Sequence, residues 1–294
     1  MTAAYDFASR DATAAFNAAA TGINAARACG LSVPASIVDI EANMRELRRL
    51  QELPTPAQPV LPPKRDGYEK VLRSAAHDLV EHDAVKALAA DAWRVQGGAL
   101  VRCFKEAGPD WIAALVEQFA EALDEFTTAL PAAPWTLNGH EDEDTTAAYM
   151  AVARSSSRLD TVVAYRAAIG SALGEEGAGS TSLWGVSDLP QMPRETEEFN
   201  RRWPELVALV RAYGVDMPKM ASPERWRALT DQTLGLPISL ASYGEVEARI
   251  DRYASLTGAA WAVNGLASSS GFDVAFTRAY PAADPVHYAA AGFA

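Results

Sequence analysis

The sequence predicts an all-α fold: an N-terminal helical arm, a Pro-rich spacer, a multi-helix body and an extended C-terminal tail. Two observations carry this. Apolar residues recur at three- and four-residue spacing in segment after segment, and the ends of those segments coincide with capping residues, prolines and glycines. A third observation sets the scale. With 294 residues, 49% hydrophobic and 22% charged, the chain is long enough and apolar enough to bury a sizeable core without cross-links.

The elements follow in chain order. A helix is expected over 4–28, Ala-rich, with Tyr5, Phe16 and Ile23 on one stripe. A second follows Pro34, where Ile37, Ile40, Met44 and Leu47 repeat as a short coiled-coil seam and Arg45, Arg48 and Arg49 project elsewhere. Two heptads do not hold alone, so this seam requires a partner helix, either the first helix or one from a neighbouring subunit. Either partner would complete the helical arm, 1–53. In LPTPAQPVLPP, five prolines between Pro54 and Pro63 remove amides and hold the backbone extended, so 54–65 is a semi-rigid spacer.

The body, 66–270, opens with a helix from about Tyr68 to Trp93 that pauses at Gly97 and Gly98. The clearest helix follows Gly108 and Pro109: Trp111, Ile112, Leu115, Val116, Phe119, Leu123, Phe126 and Leu130 line one side, while Glu117, Glu121, Asp124 and Glu125 take the other. Another helix runs from about Thr145 to Ile169. The Gly- and Ser-rich stretch Gly170 to Pro190 reads as a long surface loop. Pro204 suits a new helix start with Leu206, Val207 and Val210 buried. Ser222, Pro223 and Glu224 open a helix that Gly235 ends, and Ser242 with Glu245 has capping-box spacing before a helix that Gly258 closes. In the last segment, 271–294, Phe272, Val274, Phe276 and Tyr280 sit at alternating positions, the period of an extended arm that either packs on its own body or joins another subunit.

Composition excludes some functions. A net charge of -12 argues against general affinity for nucleic acid or anionic membranes, which need clustered Lys and Arg. No run of apolar residues is long enough to span a bilayer, and the first residues do not make a secretion signal, which predicts a cytoplasmic chain. Cys29 and Cys103 lack metal or redox spacing and read as reduced, buried residues.

In GHEDEDTTAAY, Gly139 to Tyr149, a histidine and four acids precede a helix. A calcium loop needs alternating acids followed by glycine, whereas acids at a helix N-terminus meet the positive end of its dipole. The stretch therefore reads as a helix start, with His140, Asp142 and Asp144 kept as weak metal candidates. In HDLVEH, His77 and His82 stand five apart and diverge around a helix, unlike zinc pairs four apart. Ser187 begins a nucleophile-elbow pattern, but Leu189 occupies the second glycine's place. No cofactor is implied. Trp135 and Trp184, lying among Pro, Gly and Asn, are the aromatic candidates for ligand or partner contact.

The expected function is that of a non-catalytic structural or assembly protein, a homo-oligomer or one joined to other protein subunits. Its contacts run through the arm (Ile37, Ile40, Met44, Leu47) and the tail (Phe272, Val274, Phe276, Tyr280). The arm Ser32 to Leu53 and the spacer Pro54 to Pro63 resemble the acidic helical arm and hinge of bacteriophage scaffolding and minor virion proteins, and that resemblance implies a virion component. The alternatives are an enzyme or binder of a small molecule or metal, with a site between body helices near Trp135, His140 and the Gly170 to Pro190 loop, and a monomeric adaptor that binds a partner through its tail.

Overall fold

The computed structural model describes residues 10–60, 67–134, 136, 142–179, 182–266 and 268–281. The described residues contain eight α-helices: α1 Arg10–Ala28, α2 Ala35–Gln51, α3 Tyr68–Ala129, α4 Glu143–Leu173, α5 Thr196–Val215, α6 Ser222–Thr230, α7 Glu245–Trp261 and α8 Ser269–Ala279. The only β pairing among them is the isolated bridge between Ser187 and Ile238. The fold is all-α. The chain forms two compact units, 1–107 and 108–294.

In the first unit, α1 buries Ala12, Ala19, Ile23 and Ala26, a heptad-like row. Ile37 and Met44 of the expected α2 seam are buried, while Ile40 and Leu47 are half-buried. Arg27 near the end of α1 forms an ion pair with Glu41 of α2, and Phe16 packs its ring 5.2 Å from Trp93 of α3. The end of α2 is tied to α3: the Gln51 amide donates to the Ala89 carbonyl at 3.2 Å, and the Leu53 carbonyl accepts from Lys86 Nζ at 3.2 Å and lies 3.3 Å from His82 Nε2. The arm therefore finds partner helices within its own chain.

Several expected helix breaks are absent. α3 runs through Gly97, Gly98 and Pro109 without interruption, and α5 begins eight residues before Pro204 and passes through it. A proline inside a helix deletes one hydrogen bond and costs about 3 kcal/mol. Burial on either side offsets this: Phe104, Trp111, Ile112 and Leu115 flank Pro109 in α3, and Phe199 and Leu206 flank Pro204 in α5. Val207, expected to be buried, is exposed. Gly108 has a packing role instead of a breaking one, since a Cβ there would come 2.7 Å from Leu173 Cδ2 of α4. Gly258 likewise lies inside α7, where a Cβ would meet that of Ala275 in α8 at 3.6 Å. α6 ends at Thr230, before Gly235, and the Ser222 hydroxyl is buried without a hydrogen-bond partner rather than capping it.

The second unit buries the expected α3 face, Trp111, Ile112, Leu115, Phe119 and Phe126, with the four acids of the opposite face exposed. Phe119 meets Trp226 of α6 edge-on at 5.7 Å. Toward the C-terminus a chain of rings links four elements. Trp184 lies 5.0 Å from Tyr253 of α7, which stacks on Trp203 of α5, which stacks on Phe199, which is met edge-on by Phe272 and Phe276 of α8.

Two expectations are corrected here. The tail is not extended over its described part: 269–279 is the helix α8. Phe272, Phe276 and Tyr280 are spaced by four as well as by two, so the same residues line one helix face, and Phe199 supplies the apolar partner that selects the helix. Residues 282–294 lie outside the described residues. Over its described residues the stretch 170–190 is also not a surface loop. α4 continues to Leu173, Gly174 caps it at φ 87°, and Ala178, Leu183, Trp184, Val186 and Leu189 are buried.

Gly177 makes this path testable. Its φ is +70°, and a Cβ would collide with the Cδ1 of Ile250. Gly177→Ala is expected to lower stability by about 1–3 kcal/mol, read as a reduced urea midpoint with an unchanged slope; an unchanged midpoint would show that the segment does not need this conformation.

Candidate functional site

The residues singled out from sequence do not converge. His140 and Trp135 lie outside the described residues. Asp142 is the N-cap of α4: its Oδ1 accepts the Thr145 amide at 2.7 Å, and hydrogen bonds from the Thr145 side chain and then its amide hold the carboxyl below the usual range. Glu143 and Asp144 occupy the first turn, where the helix dipole favours negative charge. Among the described residues no group of three or more His, Cys, Asp or Glu is placed to hold a metal ion. Ser187 is buried, its hydroxyl 3.0 Å from the Asp188 carbonyl and 3.1 Å from that of Pro237. Trp184 is a core ring rather than an exposed contact. Of the tail residues, Phe272 and Phe276 are buried, the Tyr280 hydroxyl donates to the Pro190 carbonyl and accepts the Met192 amide at 3.1 Å, and Val274 is exposed.

What sequence reasoning missed is a pair of buried arginines. Arg166 and Glu175 side chains are 2% and 1% exposed. The guanidinium binds both carboxylate oxygens, at 2.6 and 2.9 Å, and its remaining donors reach the carbonyls of Ala241 at 2.9 Å and Ser242 at 2.8 Å. Glu175 also accepts the Gly244 amide at 2.9 Å. Both charges are thus matched by fixed dipoles, the condition under which a buried pair is tolerated. Gly170 makes room for it, since a Cβ there would lie 2.5 Å from Glu175 Oε2.

Arg249 of α7 repeats the device one layer away. It donates to the carbonyls of Trp184 at 3.2 Å and Ser239 at 3.0 Å, and to Glu245 Oε1 at 2.9 Å. Partial burial pushes the Glu245 carboxyl up, but the Ser242 amide and Arg249 more than offset this and leave it lowered. Its Oε2 accepts the Ser242 amide at 2.8 Å, the Glu half of the expected capping box. The signal in the sequence was an arginine on an apolar helix face: Arg166 among Val162, Val163 and Ile169, and Arg249 beside Val246 and Ile250. A charge there demands partners.

A separate cleft of about 200 Å³ opens among Asp160, Val163, Ala164, Tyr213, Pro218, Arg225 and Trp226. Asp160 pairs with Arg225 and accepts the Trp226 indole N–H at 2.8 Å. Burial pushes the Tyr213 phenol up to about 12, with Arg225 opposing and Asp160 adding to the rise.

The remaining feature is a surface. On α3, Val80, Leu88 and Val95 are 67%, 69% and 71% exposed, and Ala76, Ala84 and Ala87 beside them are exposed too. At 100° per residue these six fall within an arc of about 120°. No helix among the described residues is long and apolar enough to cross a membrane. No family model, curated protein or solved structure matches this chain.

Two outcomes are expected. Arg166→Met or Glu175→Leu alone should cost about 3–5 kcal/mol in chemical denaturation, and the double variant should recover most of it, because the single changes strand a buried charge. Equal losses in all three would mean that the pair contributes mainly through shape. Tyr213 is raised in the folded state, so the stability it contributes is fully present below about pH 10 and is lost as pH rises through about 12. Ultraviolet titration should show a late phenolate step, absent in Tyr213→Phe; a single step near pH 10 in both proteins would contradict it.

Proposed function

We propose that this protein is a non-catalytic structural or assembly component that makes contacts with its own copies or with other protein subunits, as a virion component would. The observation that carries the reading is the uncovered apolar arc of α3. Single exposed apolar side chains are ordinary, but a row of them along one helix face is the pattern of an unfilled contact. The surrounding acidic body favours a defined protein contact over indiscriminate association, because like net charges repel.

The arm contributes to this surface by position. Its seam is satisfied inside the chain, with Ile37 and Met44 buried, so the contact belongs to the outer faces of α2 and α3 rather than to the seam itself. Val38 of α2, next to Ile37, is exposed, and so is Val274 of α8, one of the eight arm and tail positions.

A second reading has its own observation. The cleft at Asp160 presents a carboxylate, a guanidinium and a phenol around a small apolar floor, the mixture found in sites for small polar ligands. Native mass spectrometry of the purified protein should show a bound metabolite if that reading holds, and Asp160→Asn should release it.

Light scattering across a hundredfold range of concentration tests the main reading. A defined oligomer or a growing assembly is expected. A monomer at every concentration, with no protein subunit bound, would overturn it and leave the cleft as the place to search.

A further inference from the structure

The arc on α3 is bracketed by charges that specify its occupant. At its N-terminal end Glu69 and Arg73 form an ion pair at 2.6 Å. At its C-terminal end Asp91 and Arg94 form another. Both pairs are exposed, and both lie on the apolar arc itself rather than behind it. Each pair has the same order along the chain, acid first and base second.

That order distinguishes the two ways of laying this helix against a second copy. In a parallel pair each charge meets its own kind: Arg73 faces Arg73 and Asp91 faces Asp91. In an antiparallel pair centred near residue 82, Arg73 faces Asp91 and Val80 faces Ala84, Ala76 shares a level with Leu88, and Glu69 comes within one residue of the level of Arg94. Large side chains then meet small ones along the apolar stretch, and Arg73 and Asp91, both at the middle of the arc, meet their opposites twice across the axis. We infer that the α3 arc is the interface of an antiparallel dimer of this chain, built around a two-fold axis near residue 82. The inference rests on the assembly reading above and names its partner as a second copy.

Two charges oppose the arrangement: Lys70, exposed at one edge of the arc, stands level with Arg94, and Asp83 meets its own copy. Asp83 lies at the edge of the arc, about 60° from Val80, and an axis near residue 82 brings it toward its own copy. Its carboxylate is 3.1 Å from Nδ1 of His82, whose ring is turned inward and 3.3 Å from the Leu53 carbonyl. Glu81 points farther away, about 100° from Val80. Asp83 is therefore the position where removing a charge should strengthen the dimer.

Sedimentation equilibrium on the full chain tests this with four variants, each first matched to the parent protein in helical circular dichroism. Arg73→Asp and Asp91→Arg should each weaken association by about tenfold, since the two-fold repeats each lost pair. The combined variant should restore the parent affinity, and Asp83→Asn should tighten it. A parent protein that self-associates with affinities unchanged in all four variants would overturn the α3 interface while leaving the assembly reading in place. A parent protein that stays monomeric throughout would overturn both. Weakening in both single variants without recovery in the combined one would overturn the antiparallel pairing, because lost charge alone would then explain the effect.

Discussion

Arg166 is an ion held away from water, and much of the second unit is arranged to make that possible. A guanidinium has five N–H donors and cannot shed its charge, so burying it obliges the chain to bring acceptors to it from several directions. Glu175 comes from just beyond the end of α4, and the carbonyls of Ala241 and Ser242 come from the approach to α7. The requirement explains why α4 stops where it does. Gly174 reverses the chain in the left-handed region so that Glu175 can turn back upon the helix it has just left, and Gly170 leaves the groove into which it turns.

The same constraint organises the non-helical stretches. The segments 185–188 and 237–241 pair briefly, with the Ser239 amide on the Val186 carbonyl and the Ala241 amide on that of Gly185. Such a short ladder holds little by itself. It is fixed from both sides by arginines whose donors end on its carbonyls, and Arg252 adds a contact to Asp188 at 2.6 Å. Ion pairs here act as spacers of defined length between irregular backbone, and the apolar rings from Trp184 to Phe276 fill what lies beyond them.

Periodicity made the helices legible, and the α3 face from Trp111 to Phe126 could be read residue by residue. The acids before α4 were legible as a helix start, because Asp142 needs only its neighbour Thr145 to act as a cap. Breakers were misleading, since Pro109 and Pro204 signal a local cost whose repayment lies in distant side chains. Phe272, Phe276 and Tyr280 fit two periods at once, and only the presence of Phe199 decides between them. The Arg166 and Arg249 networks were not legible because their acceptors are mostly backbone carbonyls, which every residue carries and no sequence marks.

The Pro-rich connection between α2 and α3 has a consequence in polymer terms. Its first end is held at Leu53 by His82 and Lys86, and its far end is Tyr68, the start of the same helix. From Tyr68 to Lys86 along α3 is about 27 Å at 1.5 Å per residue, whereas fourteen residues of extended chain can reach about 43 Å. A connection of this length is thus long enough to join two points on one rod. A tether of this kind sets the effective concentration of α2's end about its docking residues, on the order of millimolar. At that concentration a few hydrogen bonds to carbonyls suffice to keep the arm closed.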